Sequence, residues 1–237
     1  MEIKPKPNDP DVYVPEDPTI RIWRYMDLPK YLHLLHYKQL FFVRADKLED
    51  RFEGSWPVLD KEKNIKYWRS FKSADPPLGA EQVEKLIRED EILNKNRQKD
   101  TFISCWHVNE YESLAMWKVY GESNKSIAIQ STFERLENTI NRRASIGLVE
   151  YIDYNSDSLF ANKKFGACPY NFKRNSFKYE NEIRCIYQRV RPGVQDPNMI
   201  YNDKETGIPL NIDVGKLITR AICALCNFND SNGIERS

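Results

Sequence analysis

Long apolar runs, glycine-rich phosphate loops and a strong charge bias are all missing from this chain of 237 residues. No stretch approaches the roughly eighteen apolar residues of a membrane span, and the N-terminal MEIKPKPNDPDVYVPEDP has no signal-peptide core. The sequence therefore predicts a soluble, cytoplasmic protein with no membrane partner. The net charge of +1 gives no support for nucleic acid as a partner either.

Glycine and cysteine are scarce, which limits the kinds of binding and catalytic site that the chain can form. None of the 9 glycines falls in a GxGxxG or GxxxxGK[ST] pattern, so the sequence excludes the P-loop, kinase and Rossmann classes. The 5 cysteines are an odd number, which favours reduced thiols over a disulfide framework. Cys223 and Cys226 form an isolated C-x-x-C, which we interpret as apolar thiols because no second pair of ligands has zinc-site spacing. We expect no metal.

Alternating apolar residues predict an α+β fold. The composition, with 41% hydrophobic and 30% charged residues, is typical of a packed core under a charged surface. We expect residues 1–19 to be an extended arm and residues 20–237 to be a single α+β domain with a helical insertion at about 60–99. The pattern indicates a mixed or antiparallel central sheet of about six to seven strands with flanking helices. The main predicted strands are Ile20–Tyr25, Leu40–Arg44, Thr101–Trp106, Ser126–Gln130, Ser145–Ile152 and one within 176–190.

The stretch Thr101–Gln130 is the richest in polar and aromatic side chains near a strand end. Its strand carries Ser104 and Trp106, and the helix that follows carries Trp117. Ser104 and Cys105 have neither a glycine elbow nor an Asp partner, so triad hydrolysis is disfavoured. We interpret the stretch as half of a site, with Ser104 framing a pocket between tryptophan walls.

Two further segments carry more polar groups than packing requires. The first strand holds Arg21, Arg24 and Tyr25, and the period of two places the two arginines on opposite faces. The simpler explanation is that the strand lies at an edge of the sheet and that its arginines face solvent. The turn-rich EDRFEG segment places Glu53 either in a loop-ordering turn or in a pocket, and both alternatives stay open.

Glu180, Glu182 and Arg184 recur at a spacing of two in the last strong strand and should share one face. Neighbouring carboxylates shift each other's pKa unless a cation lies between them, and Arg184 is a candidate for that cation. A salt-bridged strand face explains the pattern as well as a carboxylate that polarises a hydroxyl or stabilises a developing cation.

A family resemblance emerges from the order of the motifs. IRIWRYMDL, LFFVRADKLEDRFEG, FISCWHVNEYESLAMWKVYG, SIAIQ and FKRNSFKYENEIRCIY resemble the bacterial family called domain of unknown function 2971, over about Ile20–Tyr187. Asp50-Arg51-Phe52-Glu53 stands where the family has Asn-Asp-Pro-Phe-Glu, so this loop lacks its proline. The tail CALCNFNDSNGIERS lacks the Ser-Pro and tryptophan-containing helix that are usual in the family, so it looks atypical or truncated.

The chain has an arginine-bearing first strand, a serine-bearing middle strand and a late Glu-x-Glu strand. This order resembles, more loosely, that of the ADP-ribosyltransferase fold, which has a split sheet. It implies that Arg21 or Arg24 binds the pyrophosphate or ribose of NAD. It also implies that Ser104 frames the nicotinamide pocket and that Glu182 bonds the ribose hydroxyl and favours oxocarbenium-like cleavage. The expected catalytic residues are Glu182 and Ser104, and the expected binding residues are Arg21, Arg24, Tyr25, Glu53, Trp106, Trp117 and Arg184.

Two functions therefore remain after the sequence analysis. One is an NAD-using, ADP-ribosyltransferase-like enzyme that acts as a toxin or defence factor, with NAD as its substrate. The other is a non-catalytic module, in phage defence or stress response, that binds a small molecule or a protein. The two differ in whether Arg21 or Arg24, Ser104 and Glu182 converge on one cleft.

Overall fold

The computed structural model describes residues 1–7, 9–73, 76–121, 125–159, 168–190 and 196–224. In these residues the chain is α+β, with a large antiparallel sheet and flanking helices, which confirms the predicted fold class. The strands are β1 (Ile3–Lys6), β2 (Asp9–Pro15), β3 (Arg21–Asp27), β4 (Gln39–Arg44), β5 (Thr101–Val108), β6 (Ser126–Thr132), β7 (Ser145–Leu148), β8 (Glu150–Ile152), β9 (Phe172–Arg174), β10 (Glu182–Gln188), β11 (Gly207–Asn211) and β12 (Arg220–Cys223). The helices are α1 (Leu28–Tyr37), α2 (Val58–Ser70), α3 (Ala80–Lys99), α4 (Leu114–Tyr120), α5 (Phe133–Ile140) and α6 (Val214–Leu217).

Strand β5 is the branching point of the eight-stranded sheet. One of its edges pairs along the whole strand with β10, and β10 continues to β7. The other edge is shared, because β3 pairs with one end through Ile22 and Trp23 and β4 pairs with the other end through Val43 and Arg44. From there β3 leads to β6 and β12, while β4 leads to β11. The sheet thus divides beside the middle of β5, and we call this division the fork.

The strand register determines which side chains share a face of the sheet. Partners in an antiparallel ladder point to the same side, and successive residues alternate. Ser104 is the partner of Cys185, whereas Glu182 is the partner of His107. We call the side that carries Ser104 the core face and the side that carries Glu182 the charged face. Ser104 and Glu182 therefore project from opposite faces.

The main apolar core packs on the core face. Helix α1 lies against β3, β4 and β6 and buries Leu34 there. It begins where the Asp27 carboxylate accepts a hydrogen bond of 2.8 Å from the Lys30 amide, and Pro29 occupies the first turn. Strand residues such as Phe42 are fully buried beneath it. This packing fixes the register and so the placement of the charged side chains.

The N-terminal segment packs against β7, and the helical insertion contacts β5 through α3. The stretch predicted as an extended arm contains a hairpin of β1 and β2, in which Val12 and Val14 are buried. Val12 packs onto Gly147, where an added Cβ would lie only 2.3 Å from its Cγ1, so the close approach requires glycine. Helices α2 and α3 occupy the stretch assigned to the insertion.

Candidate functional site

Five ionisable side chains form a buried charge network on the charged face. Strand β10 contributes Glu182 and Arg184, β9 contributes Lys173, and the turn after β4 contributes Glu53. Glu180 ends the 3-10 segment that precedes β10. None of the five is more than 7% exposed. Buried charges are stable only when they are paired, so the geometry of the pairing decides what this site can do.

Arg184 is the centre of the charge network and uses all five of its N–H donors. It donates to both carboxylate oxygens of Glu53, at 2.6 and 2.7 Å, and to both of Glu182, at 2.8 and 3.1 Å. The fifth bond, of 2.7 Å, goes to the Tyr170 carbonyl. Such forked pairing is the strongest arrangement available to a guanidinium. Burial opposes ionisation of Glu182, but Arg184 and Lys173 outweigh it and lower the pKa of this carboxyl to about 2.

Lys173 is the second cation of the network. Its ammonium lies 2.5 Å from Glu180, 3.4 Å from Glu182 and 3.7 Å from Glu53. The five groups comprise three carboxylates and two cations, so full ionisation would leave one excess negative charge. Burial raises the pKa of Glu180, with Lys173 opposing and Glu182 adding to the shift. Glu180, which also accepts a bond of 3.1 Å from the Tyr120 hydroxyl, is therefore protonated more readily than Glu182.

An aromatic cluster of Tyr25, Trp117 and His107 lies beside the network on the same face. Tyr25 meets Trp117 edge to face at 5.1 Å, and its hydroxyl accepts a bond of 2.7 Å from the Ser113 amide at the start of α4. Burial lowers the pKa of His107, which favours a neutral ring that donates from Nδ1 to the Glu180 carbonyl, 2.5 Å away. These contacts hold α4 and the network together.

Arg24 lies in the fork on the core face. Its Nη1 donates to the Ser104 hydroxyl at 2.7 Å, and its Nη2 donates to the Phe41 carbonyl at 2.9 Å, so the side chain spans from β5 to β4. Its guanidinium carbon is 5.9 Å from the centre of the Trp106 ring. Among the described residues no carboxylate forms an ion pair with it, and burial lowers the pKa of its guanidinium. Arg24 is half-buried, so solvent still reaches it.

The residues predicted to share one pocket fall in separate places. Arg21 is at the surface, 45% exposed, in a 2.7 Å pair with Glu110. Arg24, Ser104 and Trp106 are together on the core face, whereas Tyr25, Trp117, Glu53, Glu182 and Arg184 are on the charged face. The sheet itself separates Ser104 from Glu182, so they cannot act on the same atoms of a bound substrate.

Lys173 was not among the predicted site residues. It reaches the network because β9 pairs in parallel with β8, a contact between segments about twenty residues apart. A signal did exist in the sequence: two glutamates at a spacing of two leave a carboxylate in excess over the single Arg184, which favours a second cation nearby.

Two surface cavities lie outside these clusters. One, of about 630 Å³, is lined by Met1, Ile3, Tyr13, Leu148, Val149, Glu150, Tyr151, Lys178 and Asn181. The other, of about 300 Å³, is lined by Phe52, Ile152, Asp153, Tyr154, Asn155, Arg174, Asn175 and Ser176. Neither includes Arg24, Ser104 or Glu182.

Three further observations assign no function to the site. In the described ranges no group of three or more His, Cys, Asp and Glu residues is placed to hold a metal ion. The same part of the chain has no helix of the length and apolarity that crossing a membrane requires. No protein-family model, curated protein or solved structure matches the chain.

Proposed function

We propose that this chain is a non-catalytic ligand-binding module that holds an anionic group, such as a phosphate, at Arg24 in the fork. The observation that carries the proposal is the contrast between Arg24, which has only neutral described partners, and Arg184, whose charge is fully matched. Membership of the domain of unknown function 2971 family, and a role in phage defence or stress response, belong to the same proposal and rest on the motifs quoted above.

Drawing a guanidinium out of water costs free energy. Two hydrogen bonds to neutral acceptors replace only part of the hydration of the Arg24 guanidinium. A bound anion would replace the rest of the lost interaction with water. A guanidinium has five N–H donors, and the described residues accept from two of those on Arg24. The remaining donors suit the oxygens of a phosphate or carboxylate, and the partly exposed position leaves a route for a ligand.

An NAD-using transferase is the second candidate function. The contact between Arg24 and Ser104 favours it, because the resemblance assigned NAD binding to the first strand and to this serine. Two observations oppose it. Ser104 and Glu182 lie on opposite faces of the sheet, and Glu182 is already ion-paired with Arg184. Glu182 is 3% exposed, which leaves little room for a ribose hydroxyl.

Calorimetric titration with pyrophosphate, ADP-ribose and NAD tests the proposal, with NAD breakdown followed by chromatography of the same samples. We expect at least one ligand to bind without turnover, and Arg24→Gln to weaken binding about ten- to a hundred-fold, since a hydrogen bond to a charged group contributes about 1.5–3 kcal/mol. The matched control is Arg21→Gln, on the same strand but paired at the surface, which should bind normally.

Two outcomes would overturn the proposal. The first is that none of the three anions binds the wild-type chain. The second is NAD consumption that is lost in a folded Glu182→Gln variant, which would establish the transferase instead.

A further inference from the structure

Helix α2 and the turn after it concentrate exposed positive charge beside one exposed aromatic ring, that of Tyr67. Residues 61–72, KEKNIKYWRSFK, contain five basic residues and one acidic residue. Helix α3, which packs against α2, contains five basic and five acidic residues and is balanced. The net charge of +1 for the whole chain conceals this local excess, which is independent of the ligand proposed at Arg24.

Helical spacing makes these side chains successive neighbours along a stripe that winds part of the way around the helix. Tyr67 lies one turn after Lys63, and Lys66, Arg69 and Lys72 follow Lys63 in steps of three, with Lys72 in the 3-10 turn that extends the helix. Tyr67 is therefore beside Lys63, whereas Arg69 and Lys72 lie further round, towards α3. We call these five residues the α2 basic face. Tyr67 is 57% exposed, and the side chain of Arg69 is exposed to the same extent.

The aromatic part of this surface is held in place by its neighbours. The Tyr67 ring meets Phe71 at 90° with a centroid distance of 5.2 Å, and it lies 5.5 Å from Trp68. A restrained, exposed ring loses little conformational freedom when another planar group stacks on it.

Nearby acidic groups neutralise the charges only in part. Glu84 of α3 lies 3.5 Å from Arg69 and 3.6 Å from Lys72, and all three side chains are at least 38% exposed, so both pairs are weak. Lys63 donates to the neutral Ser158 hydroxyl at 2.9 Å. No described carboxylate forms an ion pair with Lys66. A polyanion could therefore displace weak partners at little energetic cost.

We propose that the α2 basic face binds single-stranded nucleic acid, with the basic side chains along the phosphates and Tyr67 stacked on a base. Non-specific single-strand binders combine these two elements, a cationic track and a stacking ring. An acidic protein segment would satisfy the charges but would make no use of the exposed ring, so the combination favours nucleic acid. With about three to four phosphates engaged, log K should fall with log salt with a slope of about −2 to −3.

Fluorescence anisotropy of labelled twenty-nucleotide oligouridylate and oligothymidylate, at several salt concentrations, tests the proposal. We expect Tyr67→Ala to weaken binding about five- to a hundred-fold and Tyr67→Phe to restore it. Lys66→Gln should reduce the salt slope by about 0.7. The control is Lys85→Gln on α3, whose exposed ammonium pairs with Glu89 and which should leave both quantities unchanged.

The choice of strands distinguishes RNA from DNA as the source of the ligand, and binding to either supports the proposal. Equal binding of polyglutamate, with no effect of Tyr67→Ala on any ligand, would overturn it in favour of an acidic protein partner. Absence of binding to both strands at low salt would also overturn it. Because Tyr67 and Lys66 are exposed, we expect all variants to keep the wild-type unfolding midpoint.

Discussion

The two faces of the central sheet differ in how completely their cationic side chains are paired. On the charged face, Arg184 gives all five donors to two carboxylates and a carbonyl, and Lys173 touches three carboxylates. On the core face, Arg24 gives two donors to neutral oxygens. A saturated cluster has nothing left to offer a ligand, whereas an incompletely satisfied cation does. The difference teaches that the densest group of charges is not necessarily the functional one.

Removal of the central cation should have the largest effect. Arg184→Gln leaves Glu53 and Glu182 buried without their main partner, and breaking such pairs costs about 3–5 kcal/mol. Total stabilities of domains are about 5–15 kcal/mol, so we expect a large fall in the urea midpoint or loss of the fold. Arg24→Gln in the same assay is the matched comparison, and an equal loss in both variants would contradict a distinction between the faces.

Glu182→Gln should be nearly as damaging at neutral pH, and its effect should depend on pH. The native pKa of about 2 lies below an unfolded value of about 4.3, so the ionised group stabilises the fold above the unfolded value. This stabilisation is lost as pH falls from about 4.3 towards 2. Urea unfolding of both proteins should show a difference that is constant near neutrality and shrinks in acid; a difference that grows in acid would refute the assignment.

Glu180→Gln should have a smaller effect because the pKa of Glu180 is shifted the other way. A raised native pKa means that the group stabilises the fold below the unfolded value of about 4.3, and that this contribution disappears as pH rises through the native value. We expect a loss within about 1 kcal/mol at neutral pH, as lost hydrogen bonds to Lys173 and Tyr120 offset the relief of excess charge. A loss as large as that of Glu182→Gln, measured by urea unfolding, would show that these two carboxylates are equivalent.

Arg24→Gln should change stability least when no ligand is present. The variant loses two hydrogen bonds from a charged donor to neutral partners, about 1.5–3 kcal/mol each, and this loss is offset because part of a charge is no longer buried. We expect a net change within about 1 kcal/mol in urea unfolding. A loss above about 3 kcal/mol would mean that the arginine is needed to close the fork, as a structural bridge between β5 and β4.

The local pattern of the sequence predicts faces well. The period of two correctly separates Arg21 from Arg24 and groups Glu182 with Arg184, because alternation is a property of any strand. The α+β class follows from the same patterns. These inferences need no knowledge of which strands are neighbours.

The local sequence pattern does not predict how two strands are aligned with each other. Whether Ser104 and Glu182 face the same side depends on the register between β5 and β10, which is set by tertiary packing. Glu180 lies in a 3-10 turn and not on the strand, and Asn181, with a φ of 39°, turns the chain before β10 begins. Its carboxylate still joins the network, through Lys173 on a strand that was not predicted.

The most direct test of the central claim is the free energy of unfolding of Arg24→Gln and Glu182→Gln, each measured with and without saturating pyrophosphate. A ligand at a hundred times its dissociation constant stabilises a protein by about 2.7 kcal/mol. We expect Glu182→Gln to lower the stability without ligand yet keep this increment, and Arg24→Gln to keep the stability yet lose the increment. The reverse pattern, with the increment lost only in Glu182→Gln, would contradict the account and place the ligand on the charged face.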